Sequence, residues 1–294
     1  MEVRTPISLI TGSLGSGKTT LLKNILNTTD RRLAVLMNEF GEIAIDSQVI
    51  QGEHVQIVEL AGGCACCALA GEFEAAVAEI VEKVAPELIV VEATGVAEAD
   101  SLAYMVEDNL PQVRLDSVMC IVDAYMSIKY PHVGYAARTQ LQAADIVLIN
   151  KIDLVTPEEV QEVEAQVRKY NDTAVLFRTV RCDVDLDLLF GLDIEKRTIP
   201  IVHHRDVDFD SFTFTTDRPL ARAKFQQVIT DLPPSVYRAK GFVRFAEGGY
   251  LFNYVVRRPE LEEFPAEETQ LVFIGPHLDE TREAILSQLR DCEV

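Results

Sequence analysis

A glycine-rich segment at residues 12–20 has the residue types and spacing that bind phosphate. Three glycines, at positions 12, 15 and 17, precede Lys18 and Thr19. Glycines let backbone N–H groups approach a phosphate chain, the lysine places a positive charge beside its oxygens, and the threonine hydroxyl can hold Mg²⁺. An apolar run before the segment and a helical pattern after it strengthen the prediction of a nucleotide site. The predicted phosphate-binding residues are Gly12, Gly15, Ser16, Gly17, Lys18, Thr19 and Thr20.

A second motif, Asn150-Lys151-Ile152-Asp153, follows another apolar run and is suited to reading a guanine base. The Asp153 carboxylate can accept hydrogen bonds from N1–H and the exocyclic amine of guanine, whereas adenine offers no such donor pair. The alkyl stem of Lys151 can cover the ring. The sequence therefore predicts GTP rather than ATP as the nucleotide, with Asn150, Lys151 and Asp153 at the base.

Two acidic residues come directly after apolar runs, where a parallel sheet would present them to a ligand. Glu92 ends the run at 88–92, and Glu39 follows the run at 33–38. An acid at such a position can hold Mg²⁺ through water or orient an attacking water molecule. An ordinary strand-to-helix turn is the alternative interpretation. We predict Lys18, Glu92 and Glu39 as the catalytic residues.

Three cysteines, Cys64, Cys66 and Cys67, follow a Gly-Gly pair and form a candidate metal site. Thiolates favour Zn²⁺, Cu(I) and iron–sulfur centres, and they also accommodate Co²⁺. Three sulfurs leave one tetrahedral position open for water, a side chain or a partner's group, which suits transfer better than permanent binding. A redox pair and an inert cluster are the alternatives. Candidate side chains for the fourth ligand are Glu39, Glu42 and His54.

The overall composition narrows the classes of partner. The chain has 294 residues, and its formal net charge is 27 − 47 = −20. Because such a surface repels polyanions, we expect neither nucleic acid nor a membrane as a partner. Six cysteines in a chain of this length do not make a disulfide framework. We expect a reduced, cytoplasmic protein, and neither its composition nor its motifs fix its oligomeric state.

Apolar runs alternate with amphipathic stretches through the first two thirds of the chain. This rhythm predicts an α/β fold, a mainly parallel sheet with helices on both faces. The predicted strands are 7–11, 33–38, 55–60, 88–92, 118–123 and 146–150, and the predicted helices are 18–26, 73–84, 97–109, 137–143 and 157–169. The predicted divisions are a nucleotide domain at 1–190, a linker at 191–210 and a smaller α+β domain at 211–294.

With these motifs assembled, the chain resembles the CobW family of P-loop GTPases, a group that includes zinc and cobalt metallochaperones. The resemblance rests on 12–20, Asn38-Glu39-Phe40-Gly41, Gly63-Cys64-Ala65-Cys66-Cys67, Glu92-Ala93-Thr94-Gly95 and 150–153 in this order. It implies a P-loop NTPase fold, slow GTP hydrolysis with Mg²⁺, and Zn²⁺ or Co²⁺ held by the thiolates while GTP is bound. It also implies delivery of the metal to a client metalloprotein.

The predicted mechanism is a coupling between two sites. GTP and Mg²⁺ would order the segments carrying Glu39 and Glu92, and this order would bring the three thiols into ligand geometry. Two other functions are compatible with parts of the sequence. One is a phosphotransferase with structural thiols, and the other is a metal sensor or buffer that binds without turnover.

Overall fold

The computed structural model describes residues 4–28, 32–37, 55–59, 68–93, 99–131, 134–190 and 209–294. Contacts within the chain divide it into two compact units, Arg4–Asp183 and Val184–Val294. Most of the predicted linker lies outside the described residues. None of the described helices has the length and apolar character needed to cross a membrane.

The first unit alternates strands and helices, as the sequence predicts. Its described strands are β1 (Thr5–Gly12), β2 (Leu33–Met37), β3 (Val55–Glu59), β4 (Leu88–Glu92), β5 (Val113–Asp123), β6 (Ile146–Asn150) and β7 (Val175–Thr179). Its helices are α1 (Lys18–Thr28), α2 (Ala68–Val84), α3 (Ala99–Asn109), α4 (Ala124–Lys129), α5 (Tyr135–Ala143) and α6 (Pro157–Arg168). A 3₁₀ turn spans Ile152–Leu154.

These seven strands form one sheet in the order β3-β2-β4-β1-β5-β6-β7. Every pairing between them is parallel. In β4 and β6 every residue is buried, and since successive side chains point to opposite faces, both faces of the sheet are covered. The predicted α/β class is therefore confirmed, and all strand ends that carry site residues lie along one edge.

The second unit contains a five-stranded antiparallel sheet in the order β11-β10-β9-β12-β8. The strands are β8 (Phe209–Thr216), β9 (Arg238–Phe245), β10 (Gly248–Val255), β11 (Arg258–Glu263) and β12 (Thr269–Pro276). The helices are α7 (Leu186–Phe190), α8 (Arg222–Thr230) and α9 (Asp279–Arg290). Phe225 contacts the rings of Phe245 and Phe252 edge-on in the core. The expected C-terminal α+β architecture is confirmed.

Two buried polar side chains connect α7 to the strands of the second unit. The Tyr237 hydroxyl donates to the Leu188 carbonyl at 2.6 Å. The Lys240 ammonium donates to the Phe190 carbonyl at 2.7 Å. Because buried polar groups need partners, these two bonds tie the short helix to β9 and to the residue that precedes it.

Candidate nucleotide site

Five strands of the parallel sheet end in residues that lie along its carboxyl edge. Gly12, Glu92, Asp123, Asn150 and Thr179 are the last residues of β1, β4, β5, β6 and β7. Asp123 is in register with Asn150, and Asn150 is in register with Thr179. In an open parallel sheet, ligands bind beyond this edge. The fold thus brings the phosphate-binding segment and the base motif to the same edge.

The phosphate-binding segment has two positions that only glycine fits. Gly12 has a φ of +139° and Gly17 a φ of +122°. A Cβ on Gly12 would lie 2.4 Å from the Ile121 carbonyl oxygen, and one on Gly17 would lie 2.5 Å from Asn150 Nδ2. Gly15, at a φ of +74°, has open space around it. The tight turn therefore depends on conformational freedom at all three positions and on close packing at two.

Lys18 lies folded over the loop that it would use to hold phosphate. Its Nζ donates to the carbonyls of Gly12 at 3.0 Å and Ser13 at 3.2 Å. The hydroxyls of Thr11 and Ser16 are buried and find no hydrogen-bond partner in the described part of the chain. A buried cation and two buried hydroxyls without partners, all within or next to the same loop, fit a site for phosphate oxygens.

The first turn of α1 completes the loop. Thr19 and Thr20 lie there and are half-buried. The N-terminus of a helix presents free N–H groups and a positive dipole end to a bound anion. A threonine hydroxyl in this turn is an oxygen ligand of the kind that Mg²⁺ accepts.

Asn150 links the phosphate-binding loop to the end of β7. Its Nδ2 donates to the Ser16 carbonyl at 2.8 Å. Its Oδ1 accepts from the Cys182 N–H at 2.9 Å and from the Thr179 hydroxyl at 3.2 Å. Since the amide is buried and satisfied on both sides, it fixes the spacing between the two loops.

Lys151 and Asp153, the next charged residues of the motif, follow directly after β6. Lys151 adopts a left-handed conformation with φ 64° and ψ 34°. Its Nζ donates to the Gly15 carbonyl at 2.8 Å and to Asp123 Oδ2 at 2.6 Å. Asp153 lies in the 3₁₀ turn with an exposed side chain, so its carboxylate is accessible to a ligand.

Glu92 occupies the position that its place in the sequence predicts. It closes β4 between β1 and β2, in register with Ile10 and Met37, and its side chain is buried. The other predicted acid, Glu39, lies outside the described residues. So do the three predicted thiol ligands, Cys64, Cys66 and Cys67, and the two other candidates for the fourth ligand, Glu42 and His54. Within the described ranges no group of three or more His, Cys, Asp or Glu residues could hold a metal ion.

Two residues of the site were not predicted from the sequence. Asp123 ends an apolar run just as Glu92 does, and that signal could have identified it. Cys182 follows β7 in a left-handed conformation, and its thiol lies 3.5 Å from the Gly17 carbonyl oxygen. Burial raises the pKa of the Cys182 thiol to about 12, so the group stays neutral. An isolated cysteine after an unpredicted strand carries no signal of this kind.

Comparison with known proteins agrees with this geometry. The CobW/HypB/UreG nucleotide-binding domain matches residues 6–178, and the cobalamin synthesis protein cobW C-terminal domain matches residues 209–293. The zinc chaperone YjiA of Escherichia coli is 29% identical over 305 residues, which cover 93% of this chain and 95% of the relative. The zinc chaperone CobW of Pseudomonas aeruginosa is 30% identical over 344 residues, covering 97% and 90%.

The crystal structure of Zn(II)-bound YjiA GTPase from Escherichia coli has the same fold. The structural match covers 100% of both chains, with a TM-score of 0.51 and a sequence identity of 22%. The fold, the phosphate-binding loop and the base motif define the class of protein: the chain is a P-loop GTPase. Within this class it belongs to the CobW/HypB/UreG family, together with relatives that are zinc chaperones.

Proposed function

We propose that this chain is a GTP-dependent metal carrier. It binds Zn²⁺ or Co²⁺ through Cys64, Cys66 and Cys67 in a nucleotide-dependent way and delivers the ion to a client metalloprotein. The observation that supports this proposal is the hydrogen bond by which Asn150 of the base motif holds the phosphate-binding loop. It occurs in a chain whose relatives are zinc chaperones and whose sequence has three clustered thiols.

The proposed nucleotide chemistry assigns a role to each residue at the sheet edge. Asp153 reads the guanine base, and Lys18 neutralises charge that develops on the β/γ-phosphate oxygens. Thr19 would hold Mg²⁺, which shields the phosphate charge when bound. Glu92 and Glu39 orient the attacking water. We assign this chemistry to the predicted domain at 1–190.

The proposed cargo follows from the chemistry of the ligands. Three thiolates select a soft or borderline ion, and the open fourth position allows the ion to pass to another protein. Glu39, Glu42 and His54 are the candidates for the fourth ligand. The thiols must stay reduced to bind, which fits the cytoplasm. The partner is a protein rather than nucleic acid or a membrane, because the net charge is −20.

The two sites are coupled in this proposal. If GTP tightens metal binding by a given factor, the metal must tighten GTP binding by the same factor. Hydrolysis lowers the metal affinity, and the ion is released to the docked client. A typical coupling is about 5- to 150-fold.

A metal titration in two nucleotide states tests the proposal. Zn²⁺ and Co²⁺ affinities are measured with Mg²⁺ and a non-hydrolysable GTP analogue, and again with GDP. Co²⁺ reports thiolate ligation through its charge-transfer absorption. Cys66→Ala should abolish tight binding, while Cys292→Ala, at a buried cysteine of the second unit, should leave it intact. Equal metal affinity in both nucleotide states would refute the proposal that the chain is a GTP-dependent metal carrier.

A further inference from the structure

One carboxylate beside the base motif makes contacts with two elements at once. Asp123 Oδ2 accepts from Lys151 Nζ at 2.6 Å, and Asp123 Oδ1 accepts from the Met126 N–H at 3.0 Å. The second bond caps the start of α4. The same lysine ammonium also reaches the Gly15 carbonyl at 2.8 Å. Asp123 therefore contacts α4 and the base motif directly, and through Lys151 it is connected to the phosphate-binding loop.

The environment makes this ion pair stronger than a pair on the open surface. The Asp123 side chain is 8% exposed and that of Lys151 is 33% exposed. A pair that is shielded from water and closed by a short, charged hydrogen bond is worth more than an exposed one. Removing one member of a buried pair also leaves the other charge uncompensated.

A lysine stem has four rotatable bonds, and fixing it costs conformational entropy. In this structure the backbone of Lys151 is held in the left-handed region and its ammonium is held at the far end of the stem. With both ends fixed, the stem is ordered before any ligand arrives. Preorganisation of this kind raises affinity by lowering the entropy lost on binding.

We propose that Asp123 is a positioning residue for the guanine base. It fixes the Lys151 ammonium against the phosphate-binding loop, so that the lysine stem is in place to cover the ring. The effect acts on the base and not on the γ-phosphate, so GTP and GDP gain from it equally. This inference rests on the guanine-binding part of the proposed function and is independent of metal carriage.

The variant Asp123→Asn separates positioning from capping. An asparagine keeps an oxygen that can accept from the Met126 N–H, because Asn caps helices as well as Asp does. It loses the charge that holds Lys151. The companion variant Lys151→Met keeps an apolar stem of similar length but has no ammonium.

The experiment measures equilibrium affinity and dissociation rate of fluorescent GDP and of a non-hydrolysable fluorescent GTP analogue. The proteins are wild type, Asp123→Asn, Lys151→Met and the double variant, with thermal unfolding as the check on folding. We expect Asp123→Asn to weaken both nucleotides by the same factor, about tenfold, mainly through faster dissociation. In the Lys151→Met background the same change should have no further effect.

Three results would overturn the assignment. They are a loss confined to the GTP analogue, an undiminished effect of Asp123→Asn in the Lys151→Met background, and unchanged affinity in folded Asp123→Asn. Failure of the proposed function would give results that differ from these three. A wild type that binds no guanine nucleotide refutes the site itself, whereas tight GTP binding with metal affinity independent of nucleotide refutes only the carrier.

Discussion

The substitution Gly17→Ala tests whether the phosphate-binding loop depends on the packing seen around its last glycine. Gly17 has a φ of +122°, which L side chains rarely adopt. A Cβ there would lie 2.5 Å from Asn150 Nδ2 and 2.9 Å from Cys182 Sγ. Asn150 is buried and bonded to Ser16, so it cannot move without losing that bond.

The expected loss of stability in Gly17→Ala has two parts. Holding alanine in a sparsely populated backbone region costs about 1–3 kcal/mol. Displacing the Asn150 amide breaks a buried hydrogen bond and leaves a polar group unpaired, which costs about 1–3 kcal/mol more. Gly15→Ala is the matched control, because it also has a positive φ but no atom lies within 4 Å of its Cβ. Its cost should be about 1–2 kcal/mol.

Urea unfolding and thermal unfolding of the two variants give the comparison. From the middle of these ranges we expect Gly17→Ala to lose about 2 kcal/mol more stability than Gly15→Ala, which corresponds to a Tm lower by about 4–8 °C. Nucleotide affinity should fall with it, since Asn150 positions the loop. If the two variants were equally stable, the close packing of Gly17 against Asn150 and Cys182 would not be limiting, and the reasoning would be wrong.

Two further predictions concern buried groups of the first unit to which the proposed nucleotide chemistry assigns no role. Asn171→Ala should destabilise the first unit by about 2–4 kcal/mol in urea unfolding and leave nucleotide affinity unchanged, because the buried Asn171 amide donates to two carbonyls at 2.7 Å and accepts from the Ala174 N–H at 2.8 Å. Burial raises the pKa of the Cys120 thiol from 9.0 to about 12. Because the folded state keeps this thiol neutral, its contribution is complete below pH 9 and is lost as the pH rises towards 12. Between pH 8 and 10.5 the wild type should therefore lose about 2 kcal/mol more than Cys120→Ala, and equal losses would contradict the burial argument.

Much of the fold could be predicted because the strands of the parallel sheet are continuous apolar runs. β4 and β6 have the bounds that the sequence predicts, 88–92 and 146–150. α6 begins at its predicted first residue, Pro157, and Thr156 and Glu159 form a capping box around its first turn. Such signals are local and depend on neighbouring residues alone.

The elements that were missed are short or depend on distant partners. Within its five residues β7 has only three consecutive apolar ones before the exposed Arg178, and so short a run gives a weak signal. α4 has six residues and starts at a cap whose carboxylate is also bonded to Lys151. Helices this short gain little from propensity, and contacts far along the chain decide whether they form.

In the candidate site, too, the features with a local sequence signal could be predicted and those that depend on distant residues could not. Motifs whose chemistry is local could be recognised from residue types, and the structure places Lys18, Asn150 and Glu92 at one sheet edge. The bonds from Asn150 to Ser16 and to Cys182 could not be predicted, because each spans a large sequence separation. The thiol cluster and Glu39 lie outside the described residues and stay predictions.

The hydrogen bonds from Tyr237 and Lys240 to α7 indicate where the chain should be cut if the second unit is to be produced alone or moved to another protein. A fragment starting at β8 would lack the carbonyls of Leu188 and Phe190, so its buried phenol and ammonium would each lose one hydrogen-bond acceptor. Loss of an acceptor for a buried charge costs more than loss of a neutral contact. A transplantable C-terminal module therefore begins near Val184, some way upstream of the first strand of its sheet.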